Sequence, residues 1–399
     1  MKLVDSILAQ QPQLQEIRRD LHAHPELRYE ETRTSEVVAR ELAACGIEVH
    51  RGLGGTGVVG VLRAGSSPRL LGLRADMDAL PIAEVNEFAH RSRHAGKMHA
   101  CGHDGHTAML LGAARHLAAT RQFDGGVVFI FQPAEEGGAG AQKMIDDGLF
   151  ERWPCAAVYA MHNWPGLKVG QFGFNPGPLM ASGNLFEIRI KGKGAHAALP
   201  HLGVDPVMVA VQVAQGLQTI VTRAKKPIDA AVLSITVLRA GDTHNVVPDE
   251  ALLGGTVRTF DERVTDLIES RMREVATLTA AAHGAQAEVS FNRYYPPTVN
   301  HPAETTFVAD VAAAMVGEAN VVRQHEPAMT AEDFSFMLKA RPGSYFVIGN
   351  GDGAHREMGH GIGPCMLHNP SYDFNDALIP LGATYWVRLT EKFLATAPA

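Results

Sequence analysis

Only four cysteines occur among the 399 residues, Cys45, Cys101, Cys155 and Cys365. They are too few and too scattered to build a disulfide framework in a chain of this size, which excludes a disulfide-stapled scaffold and fits a reducing cytoplasm. Long apolar runs are also missing, and none approaches the roughly 18 residues that a membrane span requires. The opening "MKLVDSILAQQPQLQEIRRD" carries Lys2, Asp5, Glu16, Arg18, Arg19 and Asp20 and lacks the apolar centre of a signal peptide. A soluble cytoplasmic protein without a membrane partner is expected. Basic runs are absent too: 36 basic against 43 acidic residues leave a net charge of −7. Nothing could neutralise several phosphates at once, so a small molecule is expected as partner rather than nucleic acid. The chain shows neither an internal repeat nor a low-complexity tract.

What is present is ample apolar material, with 46% hydrophobic and 20% charged residues. That suits a globular chain, and at roughly 100–200 residues per domain the length predicts two domains. Leu14, Ile17 and Leu21 share one helical face and Val37, Val38 and Leu42 another, the second helix stopping at Gly46. "TGVVGVLR", "LLGLRAD", "GGVVFIFQ" and "AAVYAMH" read as strands buried on both faces. Helical patterns at roughly 105–120 and 139–147 lie between them, and alternation of this kind predicts an α/β domain with a mostly parallel sheet flanked by helices.

The texture changes at "NPGPLMASG" near residue 180 and again at "YYPPTVN" (294–300), both rich in turn formers. Between them the pattern is strand (184–193), helix (205–223), strand (230–240), strand (249–259), helix (261–282), strand (286–292). This is the β-α-β-β-α-β order of a split-βαβ sandwich. An α+β domain at 184–296 is therefore expected to be inserted into a larger domain of 1–183 and 297–399. The larger one resumes with a helix near 303–316, the strand "SYFVIG" and a final helix near 376–394.

Five places carry residues able to do chemistry. In "HACGHDGH", Cys101 and His103 stand two apart before a helix, and thiolate with imidazole suits Zn and its neighbours. A lone Cys-x-His is more often structural, but His99, Asp104 and His106 make an apolar pocket implausible here. "VVFIFQPAEEGG" runs from a buried strand into Glu135 and Glu136. Adjacent side chains diverge, so one glutamate can bind a metal while the other acts as a base; two loop glutamates are otherwise ordinary surface. His162 ends the strand "AAVYAMH", where a histidine is more often satisfied core than ligand. Trp164, Phe172 and Phe174 follow, as pocket wall or as core. His368 in "MLHNPSYDFND" is a ligand candidate or a polar turn. Asp76 and Asp78 in "LRADMDALP" end a strand and suit partners that orient a ligand histidine. Cys101, His103, Glu135, Glu136 and His162, with Asp76 and Asp78, fall on one rim of the predicted sheet, where open α/β sheets bind ligands. In the inserted segment, His196, Asn245 and Arg258 are weak candidates, their interest being that an imidazole stabilises an oxyanion and a guanidinium matches a carboxylate.

Together, "LHAHPEL", "LRADMDALP", "MHACGHDGHTA", "QPAEEGGAGA", "GKGAHAALPH", "NVVPDEA", "GTVRTF" and "HNPSYDFND" resemble the metal-dependent amidohydrolases that include hippurate hydrolase, N-acyl-amino-acid deacylases, N-acetyl-diaminopimelate deacetylase and the auxin-conjugate hydrolases. The resemblance spans nearly the whole chain. It implies a two-metal centre in the larger domain and a lid that also serves in dimerisation. Cys101, His103, Glu136, His162 and His368 fall on that family's metal ligands and Glu135 on its general base. His196 matches a lid histidine that reaches the neighbouring subunit's site, and Asn245 and Arg258 match lid residues that hold the substrate. In the wider superfamily an aspartate bridges the metals and a His-x-Asp strand end supplies another ligand; here Cys101 and "DMD" stand in those places. A Cys/His/Glu set accepts Zn or Mn, and equally Co or Ni.

The expected activity is hydrolysis of the amide bond of an N-acyl amino acid by a metal-bound water, with Glu135 taking its proton. Dipeptidase or carboxypeptidase action is the same chemistry on a peptide. A Cys101 thiol nucleophile is the alternative from another class. A homodimer or higher homo-oligomer is expected.

Overall fold

Valine, isoleucine and phenylalanine fill the short segments between residues 57 and 165, and these become buried strands in the computed structural model, which describes residues 2–356 and 358–395. The strands are β1 (Glu48–Leu53), β2 (Gly57–Ala64), β3 (Leu70–Asp76), β4 (Gly125–Gln132) and β5 (Ala157–Pro165). β3 and β4 are buried along their full length, as strands covered by helices on both faces must be. The sheet has eight strands, in the order β1, β2, β4, β3, β5, Gly343–Gly351, Phe172–Gly173, Val321–Val322. Its centre is parallel, β4 with β3, β3 with β5, and β5 with Gly343–Gly351. β1 and β2 extend it antiparallel.

The chain forms two compact units. The larger runs up to Leu179, takes Val299–Glu326 and continues from Asp333; the smaller takes Met180–Thr298 and Pro327–Glu332. In the larger, helices α1 (Asp5–Ala23) and α2 (Thr32–Ala44) pack against α3 (His103–Thr120), as does the helix Leu378–Phe393. Leu14 and Leu21 of α1 are buried, Ile17 only partly, and Gly46 follows α2 at φ +70°. α3 is buried nearly all round, so side chains such as Leu110 and Leu117 each contribute about 1.5–3 kcal/mol by leaving water. This helix starts two residues earlier than the periodicity predicts and carries His103 as its first residue. Arg18 of α1 pairs with Asp104 at 3.0 Å and with Asp373, and His22 bonds Asp104 at 2.9 Å. These buried pairs lock α1 onto the first turn of α3 and onto the loop of residues 373–376. Phe172 and Phe174 are core, stacked 5.1 Å from Tyr385 and from Phe346 respectively, so neither lines a pocket.

The smaller unit holds a four-stranded antiparallel sheet in the order Ala231–Ala240, Glu250–Thr259, Gly183–Lys191, Gln286–Tyr295. Residues of Gly183–Lys191 alternate buried and exposed, the mark of a sheet covered on one face. The helices Pro206–Thr219 and Glu262–Ala282 supply that cover through Val213, Leu217, Ile268 and Met272. Each begins at an aspartate, Asp205 or Asp261, whose carboxylate accepts from the first free backbone N–H groups. A short ribbon, Ala195–His196 with Val246–Val247, completes the unit.

Candidate metal centre

Three parallel strands end at one rim of the large sheet, and each delivers part of the site. β3 ends at Asp76, with Asp78 two residues on; β4 ends at Gln132, just before Glu135 and Glu136; β5 carries His162. Cys101 and His103 arrive from the turn that opens α3. His368 comes from the loop after Gly343–Gly351, where its φ is +62° and its N–H bonds the carbonyl of Ala100 at 2.8 Å. That bond carries the C-terminal loop to the Cys101 turn.

The ligand-type atoms converge. Donor atoms of Cys101, Glu136 and His368 lie within 4.8 Å of one another, as do those of His103, Glu135 and Glu136. Cys101 Sγ is also 3.4 Å from His162 Nε2, so the thiol faces donors on two sides. His368 Nε2 comes to 3.2 Å from Glu136 Oε1 without making a hydrogen bond to it.

Hydrogen bonding sets both buried histidines in the tautomer a cation requires. His103 Nδ1 is 2.8 Å from the carbonyl of Asp78, and His162 Nδ1 is 2.7 Å from the carbonyl of Asn163. A carbonyl only accepts, so each Nδ1 carries a proton and Nε2 is the nitrogen each ring can turn to a cation, His103 after giving up a second proton there. His103 Nε2 and Glu136 Oε1 are buried and have no hydrogen-bond partner. Leaving such groups unsatisfied costs on the order of 1–3 kcal/mol each, and a divalent cation satisfies both. The donor set, sulfur with imidazole nitrogen and carboxylate oxygen, fits such an ion.

The two aspartates act behind the donors. Asp78 accepts the His103 ring proton on its carbonyl, and its Oδ2 accepts from the N–H of Glu136 at 2.9 Å, so one residue orients two candidate ligands. Asp76 Oδ1 lies 2.6 Å from His106 Nδ1, and its Oδ2 accepts from Arg74 at 2.7 Å. Burial would raise the Asp76 carboxyl, but Arg74, His103 and His106 hold it well below the usual carboxylate range. For His103, burial alone would depress the ring, yet Asp76, Asp78 and Glu136 outweigh it and push its pKa up to about 10. Burial, with Glu136, Glu135 and Asp76, pushes the Cys101 thiol well up.

Sequence reasoning gave no role to Arg74, His106, Asn163 or Tyr372. Of these only His106 had a visible signal: it follows His103 by three residues in α3, so the two share a helical face. In the smaller unit, His196 and Asn245 are brought together. Both are exposed, the Ala197 N–H bonds the Asn245 carbonyl at 3.0 Å, and His196 pairs with Val246 in the ribbon. Arg258 sits elsewhere in that unit, on Glu250–Thr259, bonded to the carbonyls of Asn184 and Val257 and lying over the ring of Tyr294.

Comparison with known proteins agrees with this geometry. The model of peptidase family M20/M25/M40 matches residues 72–392. The chain is 38% identical over 394 residues to a hippurate hydrolase of Campylobacter jejuni, covering 99% of this chain and 100% of the relative. It is 40% identical over 383 residues to an N-acetyl-L-cysteine deacetylase of Bacillus subtilis, covering 96% and 88%. Among solved structures, a Bacillus subtilis protein described as a dinuclear metal binding peptidase from the M20 family superposes with a TM-score of 0.83 at 35% identity, covering 98% of this chain and 99% of that one.

Proposed function

Because the chain belongs to peptidase family M20/M25/M40 and is a metal-dependent amidohydrolase acting on a small molecule, we propose that it cleaves the amide bond of N-acyl amino acids to give a carboxylic acid and a free amino acid. The observation that carries this reading is the convergence of Cys101, Glu136 and His368 with the Nε2 atoms of His103 and His162. Cys101, His103, Glu136, His162 and His368 would hold two divalent cations, Glu136 and His368 standing with Cys101 on one side and His162 lying 3.4 Å from the same sulfur on the other. When bound, such ions polarise a carbonyl oxygen and lower the pKa of water from about 15.7 to roughly 7.

The chain's own residues do the rest. Glu135 takes the proton of the attacking water and returns it to the leaving amine, a transfer typically worth about 10²–10⁴-fold. His196 stabilises the developing oxyanion, Arg258 grips the carboxylate of the amino-acid half, and Asn245, held beside His196, approaches the substrate with it. In the proposed homodimer His196 serves the neighbouring subunit. Zn or Mn fits the donor set, as do Co and Ni. No helix among the described residues is long and apolar enough to cross a membrane, and all four cysteines are unpaired, which supports placing the protein in the reducing cytoplasm.

A thiol nucleophile needs a base, and His162, 3.4 Å from the Cys101 sulfur, is a poor one because burial and His106 hold its pKa low. Activation of cysteine requires positive surroundings that lower its pKa, whereas Cys101 is buried beside Glu135, Glu136 and Asp76. The test is hydrolysis of acetyl-, benzoyl- and indoleacetyl-amino acids, their carboxamides and unblocked dipeptides, before and after chelation. The expected result is turnover of the N-acyl amino acids with a free carboxylate, lost on chelation and restored by Zn or Mn. Turnover confined to unblocked dipeptides would replace this reading with a dipeptidase, and activity that survives complete metal removal would refute it.

A further inference from the structure

Cys101 Sγ and His162 Nε2, 3.4 Å apart, are both tied to one residue outside the ligand set. Asn163 donates from Nδ2 to the carbonyl of Cys101 at 2.6 Å. Its own carbonyl accepts the His162 ring proton at 2.7 Å, and its backbone N–H donates to His106 Nε2 at 3.0 Å. The orientation of its amide is fixed by Tyr372, whose hydroxyl donates to Oδ1 at 2.7 Å, together with His106 Nε2, 3.1 Å from Nδ2. Asn163 and Tyr372 are both fully buried. Space for them exists only because residue 102 is glycine: a Cβ there would stand 2.3 Å from Asn163 Nδ2 and 2.5 Å from the Tyr372 hydroxyl, and its φ of +90° suits glycine alone.

We infer that Asn163, oriented by Tyr372, is a positioning residue that holds the Cys101 peptide and the His162 ring as one ligand unit. Without the tyrosine hydroxyl, Oδ1 loses its buried donor and the amide that holds the Cys101 carbonyl loses one of its anchors, so the turn carrying the thiol is held less firmly against His162. Outer partners of this kind typically govern about 10–100-fold in metal affinity.

The inference rests on the metal-centre reading, and its test separates the two. Metal-free wild type, Tyr372→Phe and Tyr385→Phe are titrated with cobalt(II), following the thiolate-to-cobalt absorption band and competition with a chelating dye, and each metal-free protein is melted. Tyr385 is equally buried, but its hydroxyl donates to the carbonyl of Val308 at 2.8 Å in the core. Its variant therefore controls for loss of a buried hydroxyl as such. Tyr372→Phe is expected to bind cobalt about 10–100-fold more weakly with a diminished thiolate band, and Tyr385→Phe to melt lower at wild-type affinity. Should Tyr372→Phe fail to fold, Asn163→Ser, too short to reach the Cys101 carbonyl, carries the same expectation. Unchanged affinity in the site variant, or equal weakening in site variant and control, overturns the inference. Wild type that binds no cobalt overturns the metal centre itself.

Discussion

Glu135→Gln is expected to lower kcat by about 10²–10⁴-fold while KM and bound metal stay near wild type. The side chain keeps its size and a hydrogen-bonding oxygen but cannot accept a proton. Glu135 is buried and shares the neighbourhood of His103 and Glu136, so the variant also asks whether it is a base or a ligand. A base leaves metal content unchanged when replaced. A ligand takes metal with it, so loss of metal and activity together would reassign Glu135, and normal turnover with normal metal would remove the base from the mechanism. Steady-state kinetics paired with metal analysis of the same preparation distinguishes the three outcomes.

The second large effect is on the pH dependence of metal binding. Burial opposes charge on His103, but Asp76, Asp78 and Glu136 raise its pKa to about 10, so the metal-free ring is an imidazolium at neutral pH. Cys101 is a neutral thiol there, its pKa raised by burial and by Glu136, Glu135 and Asp76. Both must lose a proton to ligate, whereas His162, held low by burial and by His106, is already neutral. The sign follows: affinity weakens as pH falls, by up to about 10²-fold per pH unit below the His103 value, because about two protons leave for each chain loaded. Calorimetric titration in buffers of different ionisation enthalpy counts those protons. A pH-independent affinity with no proton release would contradict the assignment of His103 and Cys101.

Much of this was legible in the sequence because the relevant residues interrupt apolar runs. Glu135 and Glu136 closely follow a strand buried along its whole length, and Cys101 and His103 sit in a polar, glycine-containing turn before an apolar helix, where the burial pattern leaves few other reasons for them. β1 was not legible: Glu48, His50 and Arg51 give it no apolar signature, since an edge strand is held by backbone bonds to β2 rather than by burial. Arg74, Asn163 and Tyr372 were illegible for a different reason. They act on the site only through neighbours supplied by tertiary packing, as when Tyr372 meets the amide of Asn163. Local pattern carries no trace of a pair that far apart in the chain. His368 lay between these cases, polar and plausible in sequence, but placed only by the bond of its N–H to Ala100.

The central claim is that Cys101 lies between two sets of donors and so takes part in holding both cations. Metal content of the purified, zinc-reloaded protein, set beside that of Cys101→Ala at matched folding, tests it most directly. The account predicts about two ions per chain in the wild type, as donors on both sides of one shared sulfur require, and loss of both in the variant. A variant that keeps both ions, or a wild type that holds none, would contradict it.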